Sequence, residues 1–247
     1  MKNLKTKLII SNVLLLVLIL LMVGVTVAYF TDTKKATSTI TSGNVKIMLS
    51  EAAIKQDAEG NLVADHSTAR IFGGQDVTIN DYGKIYPGQT IYKDPTIENT
   101  GTNEAWIAAK ITLTDGAGEL HKVMGYGGYE GVDIELLLGG GVFDEKVHFG
   151  TWNGIDNVCY NDHYAMVQVP NATEGKFEFY FFFQEAFLQR DSVMLFDTLR
   201  VPDYWNNKEM KELVELHIDV QAFGSQKFGF ESCYEAMVAA FPDYFSF

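Results

Sequence analysis

Cysteine and proline are scarce, with two and five in 247 residues, which excludes a disulfide-dense miniprotein and a collagen. Basic residues are outnumbered, 19 Lys and Arg against 32 Asp and Glu for a formal charge of −13, and no Lys/Arg cluster reverses the balance locally. Such a chain repels phosphate backbones, so nucleic acid is excluded as a partner. A sustained heptad, an internal repeat of fixed period and a low-complexity tract are all missing, which removes coiled coils and repeat arrays. What remains, at 47% hydrophobic residues, is a chain able to bury a core.

Catalytic motifs are missing as well. His66, His121, His148, His163 and His217 are scattered with no His-Glu-x-x-His among them, so no zinc site is expected. Phe223-Gly224-Ser225-Gln226-Lys227 lacks the second glycine of a nucleophile elbow. The Gly-rich stretches Gly125–Gly131 and Gly139–Gly141 are not followed by Lys-Ser/Thr and read as turns rather than phosphate cradles. Asp144, Glu145, Asp156 and Asp162 form no Asp-x-Asp-x-Asp-Gly loop and read as solvated acids. No catalytic, metal or cofactor-binding residue is assigned, and the chain is expected not to be an enzyme.

The N-terminus does carry a signal. Lys2, Lys5 and Lys7 precede an apolar stretch from Leu8 to Val25, interrupted by Ser11 and Asn12 and followed by Thr26-Val27-Ala28. A basic region, a short apolar region and small residues at the recognised positions describe residues 1–28 as an export signal cut between Ala28 and Tyr29. The alternative is an uncleaved anchor. Either way the membrane is met only at the export step or at the N-terminus, and the rest of the chain is expected outside the cytoplasm. Removing residues 1–28 leaves 16 basic against 32 acidic residues, a net of −16.

The mature chain, 29–247, reads as one β-rich domain. Thr37–Leu49, Asp76–Asn80, Thr90–Lys93, Ala105–Thr114, Tyr164–Val169, Phe177–Phe187 and Glu215–Phe223 are β-branched or aromatic runs parted by Gly, Asn, Asp and Pro. The run Phe177-Glu-Phe-Tyr-Phe-Phe-Phe183 turns from alternating to continuously apolar, as in a central strand or one covered on both faces. Helices are expected only over Asn206–Val214 and Glu231–Ala240, the second ended by Pro242, and loops over Asp57–Thr68 and Asp115–Gly131. The fold class is therefore all-β: a jelly-roll-like antiparallel β-sandwich with a few short peripheral helices. Cys159 and Cys233 both fall in the exported part, where they can form one disulfide or remain two buried thiols.

Several stretches resemble the TasA/camelysin family of proteins exported through the SipW type of signal peptidase. They are Gly24-Val-Thr-Val-Ala-Tyr-Phe-Thr-Asp-Thr33, Thr37-Ser-Thr-Ile-Thr-Ser-Gly43-Asn-Val-Lys-Ile-Met-Leu49, Ile85-Tyr-Pro87-Gly88 and Pro95-Thr-Ile-Glu-Asn99-Thr-Gly101 running on to Trp106. Leu195-Phe196, Val201-Pro202 and Leu216–Phe223, with Gln226 and Phe230, are similar to the family's C-terminal strands. Asp115–Asn157 matches only loosely, and Gln189-Arg190-Asp191 stands where the family more often has a Pro-Gly turn.

The resemblance implies a secreted subunit of biofilm-matrix or cell-surface fibres, with a jelly-roll fold. Its partners would be further copies of itself, joined head to tail, and a minor fibre or anchor protein. It also brings two alternatives, a camelysin-like cell-surface metallopeptidase and a monomeric surface adhesin. From the residues alone, Tyr29, Phe30, Thr31, Asp32 and Thr33 form either a first strand paired with its own sheet or a strand lent to the next molecule. The resemblance implies the second, a donor segment released by cleavage.

Overall fold

The computed structural model describes residues 31–35, 45–58, 60–73, 86–115, 138–171, 176–201, 203 and 216–245. The expected signal, its cleavage residues Thr26, Ala28 and Tyr29, Phe30 beside them, the strand over 76–80 and the helix over 206–214 lie outside these residues. Among the described residues no helix is long and apolar enough to cross a membrane.

The expected sandwich is present, and every strand pairing is antiparallel. One sheet has seven strands in the order β1 (Thr31–Lys35), β16 (Leu216–Gln226), β8 (Ala105–Asp115), β13 (Lys176–Phe183), β12 (Tyr164–Asn171), β11 (Ile155–Tyr160) and β10 (His148–Trp152). Smaller sheets face it. One is β14 (Ser192–Met194), β7 (Thr96–Asn99), β2 (Ile47–Glu51) and β5 (Ile71–Phe72); the other is β6 (Thr90–Tyr92), β15 (Thr198–Arg200) and β9 (Leu138–Gly139). A separate hairpin pairs β3 (Ile54–Gln56) with β4 (Leu62–Ala64), the second of which falls inside the stretch 57–68 expected to be loop.

The period-two alternation of the long strands decides which side chains meet which layer. Phe177, Phe179, Phe181 and Phe183 join Ile107, Ile111, Ile47 and Ile97 in the core between the sheets, while Tyr180 and Phe182 point to the opposite face. Strand β13 is thus both central and covered twice, as its continuous apolar run requires. The second cover is helical: α1 (Cys233–Ala240) and α2 (Pro242–Phe245) lay Cys233, Ala236, Met237, Phe241 and Phe245 on Trp106, Tyr180, Phe182 and Phe223. These helices close a second core. Ser232 caps α1 by accepting the Glu235 N–H at 3.2 Å. Pro242 opens α2 instead of merely ending α1, in keeping with its tolerance in a first helical turn.

Other boundaries also move. The strand expected from Thr37 begins, among the described residues, at Ile47, and the one expected to reach Phe187 ends at Phe183. Phe187 returns only as an isolated bridge to Ala105. Gly139–Gly141 is a place of close backbone approach rather than a plain turn: Gly140 and Gly141 have φ of 71° and 57°, and a Cβ on Gly141 would stand 2.5 Å from the Met194 carbonyl oxygen.

The two cysteines do not form the disulfide that their even count permits. Both are buried thiols. Cys159 points into the core between the sheets and Cys233 into the core under the helices, so the seven-stranded sheet stands between them. Cys233 Sγ donates to the Ile107 carbonyl at 3.0 Å, and burial raises its pKa far above the usual thiol value, which leaves it unreactive.

Candidate assembly edge

Among the described residues, strand β1 is one edge of the large sheet and β10 the other. It runs antiparallel to β16, with Thr31 opposite Ser225, Asp32 opposite Gly224, Thr33 opposite Phe223, Lys34 opposite Ala222 and Lys35 opposite Gln221. Of the expected donor residues, the structure therefore places Thr31, Asp32 and Thr33 on β16 of their own chain, while Tyr29 and Phe30 lie outside the described residues. β16 is the platform for this contact, and its other side is locked to β8 over eleven paired positions from Leu216 to Gln226.

β16 is shaped for its neighbours. Gly224 lacks a side chain where β2 passes closest: a Cβ there would meet Ile47 Cγ2 at 2.8 Å, and Ile47 is fully buried. Phe223, on the other face, packs its ring 4.9 Å from Phe245 and 5.4 Å from Phe241. Gln221 is buried, and among the described residues its Oε1 has no hydrogen-bond partner. In register terms that acceptor lies between Lys110 on β8 and Lys35 on β1.

Beside Gln221 the helical face carries a polar cluster. Lys110 Nζ and Lys176 Nζ each lie 2.6 Å from Glu178 Oε1, and Tyr180 donates to Glu178 Oε2 at 3.0 Å. Burial pushes the Glu178 pKa up, but the hydrogen bonds from Lys110 and Lys176 outweigh it and hold the carboxyl below the ordinary glutamate value. Burial, reinforced by the charge on Glu178, raises the Tyr180 phenol. Because the folded-state pKa of Glu178 is depressed, its contribution to stability is present above the unfolded value of about 4.3 and is lost as the pH falls through the folded value. Glu178→Gln is accordingly expected to flatten the decline of the urea midpoint between pH 5 and pH 3. Parallel declines in the parent and the variant would contradict the assignment.

The facing sheet has its own polar knot. Arg70 donates to Ser50 Oγ at 3.0 Å, Asp94 Oδ2 at 2.7 Å and Thr96 Oγ1 at 2.9 Å, and Asp94 Oδ1 also accepts the Ala52 N–H at 2.7 Å. Tyr92 donates to Asp94 at 3.1 Å, and burial followed by the Asp94 charge pushes its pKa up to about 12. These bonds tie β2, β6 and β7 together, and the cluster has a structural geometry.

His66, His148, His163 and His217 are all exposed. Among the described residues no group of three or more His, Cys, Asp and Glu side chains is placed to hold a metal ion. Asp156 accepts from Thr151 Oγ1 at 2.7 Å across the β10–β11 hairpin, and Glu145 accepts from Asn161 Nδ2 at 3.0 Å. No family model, curated protein or solved structure matches this chain. The functional reading therefore rests on the residues and on the edge just described.

The hairpin of β10 and β11 was not expected from the sequence, although a signal for it was there. Asn153-Gly154, with φ of 49° and 81°, is a two-residue turn of the type that suits a hairpin. Just beyond it the register shifts between Gly150 and Trp152, with Asn157 at φ 60°, as at a bulge. That bulge kinks the far edge of the large sheet, a device that blunts edge-to-edge pairing. The β1–β16 pairing has no such shift in register.

Proposed function

We propose that this chain is a secreted structural subunit of extracellular or cell-surface fibres, assembled head to tail by passing the N-terminal strand of one copy to the β16 edge of the next. The observation that carries the reading is the position of β1. It is a five-residue strand at the rim of the sheet, held on one side by β16. Nine residues, 36–44, separate it in the sequence from Val45, and nine residues of any conformation reach at most about 30 Å. A strand with these attributes can leave its own edge and make the same backbone bonds on another copy, since the register on β16 is identical in the two cases. Because donor and acceptor are different surfaces, the contact is heterologous and grows into a chain.

The resemblance of residues 24–49 and of the C-terminal strands to the TasA/camelysin family supports this reading, and the acidic composition suits an exported protein that stays soluble until it assembles. The pairing of β1 with its own β16 favours a second reading, a monomeric surface sandwich whose first strand is folded in place. Deletion of residues 29–35 separates the two. The deleted chain is expected to keep its far-UV spectrum and to sediment as a monomer, while the chain beginning at Tyr29 forms high-mass polymer. Polymer should be favoured as the pH falls from 8 toward 4 and as salt rises, because both weaken repulsion between subunits of net charge −16. Equal polymerisation by the deleted chain would leave the strand-in-place reading standing.

A further inference from the structure

We propose that Glu178 is an acid-released latch on α2: with its carboxylate charged, Lys110 and Tyr180 are held as a seat for that helix, and with it protonated, α2 lifts while the two sheets stay packed. The inference concerns the helical face of the large sheet and does not rest on the assembly reading above.

One carboxylate positions both side chains of the seat. Lys110 Nζ stands 2.6 Å from Glu178 Oε1, and the Tyr180 hydroxyl donates to Oε2 at 3.0 Å. The Lys110 ammonium also lies over the Tyr180 ring, 5.0 Å from its centroid. α2 rests on this pair. The Tyr244 ring is 6.0 Å from the same ammonium, and Phe245, fully buried, packs edge-on against Tyr180 with centroids 5.6 Å apart. α1 has polar ties of its own to β8: Cys233 Sγ donates to the Ile107 carbonyl, and just before the helix the Phe230 carbonyl accepts from Trp106 Nε1 at 3.4 Å. In α2 the Tyr244 and Phe245 N–H groups donate within their own turn, to the Phe241 carbonyl at 3.0 and 3.2 Å, so the helix meets the sheet through the side chains of Tyr244 and Phe245.

Loss of the charge acts unequally on the two lysines. The Lys176 side chain is 33% exposed and turns into water. That of Lys110 is 10% exposed, and an ammonium so placed must regain either a counter-charge or water. The helical ring above it is Tyr244, which belongs to a helix of four residues. The strands beneath cannot give instead, because β8 is paired with β13 over seven positions and with β16 over eleven. A short element on a single seat is the part of a fold that opens first.

The other charges on this face are accounted for among the described residues. In register, Asp219 and His217 of β16 stand in the rows of Glu178 and Lys176, and both are exposed; Val169 of β12, directly opposite Glu178, brings no charge. Lys35 of β1 is in register with Gln221, and α1 and α2 carry the exposed acids Glu235 and Asp243. Of these acids only Glu178 is shielded from water. Burial pushes its carboxyl up, the bonds from Lys110 and Lys176 outweigh burial and hold it below the ordinary value, and the latch therefore holds above the unfolded value of about 4.3 and lets go as the pH falls through the folded one.

The test is amide exchange of the chain beginning at Tyr29, at a concentration where it sediments as a monomer, at pH values from 7 to 3.5 with rates corrected for intrinsic chemistry. In the parent the Tyr244 and Phe245 amides are expected to lose about tenfold in protection at pH 3.5, while those of Ile107–Ile111 and Phe179–Phe182 keep theirs. Glu178→Gln is expected to show the open α2 at every pH. Lys110→Met, which removes the ammonium that has to escape, is expected to keep α2 closed throughout, and Asp219→Asn to follow the parent. Equal protection of α2 at pH 7 and pH 3.5 overturns the latch, and so does a loss in step with the sheet amides, which is global acid unfolding. Opening that is complete above pH 5.5 belongs to an imidazole and overturns the assignment to Glu178. If Glu178→Gln fails to fold, Lys110→Met still decides: a variant that opens at pH 3.5 as the parent does shows that no stranded ammonium drives α2 off, and the proposal falls.

Discussion

Truncating Glu51 to alanine is expected to lower the stability of the fold by about 3–5 kcal/mol, the range for removing one partner of a buried ion pair. Glu51 ends β2, and its Oε1 lies 2.6 Å from Nζ of Lys93, which stands between β6 and β7; the two side chains are only 3% and 9% exposed. In water the pair would be worth little. Here the ammonium left behind by the truncation keeps its desolvation cost and loses its counter-charge. The size of the loss measures that stranded charge more than the strength of the pair. Replacing both residues together, as Glu51→Leu/Lys93→Met, should therefore recover most of the stability lost by the single variant. Urea midpoints of the parent, both single variants and the double decide it. A double variant as unstable as the sum of the singles would show that the two groups act independently.

Phe182→Ala is expected to cost about 3–5 kcal/mol and to loosen the C-terminal helices before the sheets. Phe182 is fully buried on the helical face of β13, with ring centroids 5.4 Å from Trp152, Tyr234 and Phe245. One ring thus joins the β10–β11 hairpin, α1 and α2. Its removal leaves a cavity lined by three aromatics that are themselves held by other contacts and cannot all collapse into it. Thermal unfolding reads the global cost, and amide exchange over Cys233–Phe245 reads the local one. Tyr86→Ser, at a side chain 63% exposed, should change stability by less than about 0.5 kcal/mol. If Phe182→Ala behaves like Tyr86→Ser, the helical cover is not packed as described.

The long strands were readable in the sequence because their chemistry is local. Alternation and aromatic content mark Ala105–Asp115, Lys176–Phe183 and Leu216–Gln226 to within a few residues. The run Glu231–Ala240 shows its helix for the same reason. β6 falls within the expected run Thr90–Lys93, but the two- and three-residue strands β5, β9, β14 and β15 carry too few residues for any period to appear, and β4, three apolar residues between polar and glycine-containing stretches, passes for loop. The buried charges were harder still. Glu51, Arg70, Lys93 and Asp94 read as ordinary surface residues, since their partners stand 20 or more positions away and no spacing rule links them. The pairing of β1 with β16 belongs to the same class: a pattern of Thr and Asp can suggest a strand, but only tertiary structure selects its neighbour. The two thiols show the limit from the other side. Their even count permitted a bridge, and the sheet between them forbids it.

The β1–β16 register also orders events in time. Thr31 and Ser225 are far apart in the sequence, and among the described residues the first strand is received by the last long one. A chain that emerges N-terminus first displays its opening segment long before its own acceptor exists, and closing so long a loop is among the slowest kinds of contact a fold can make. Throughout that interval a neighbour whose own β1 has left its place offers a complete acceptor edge. Under the assembly proposed above, capture by a neighbour would compete with self-closure as a matter of rates, and the yield of polymer would depend on how many copies stand close by while the chain folds.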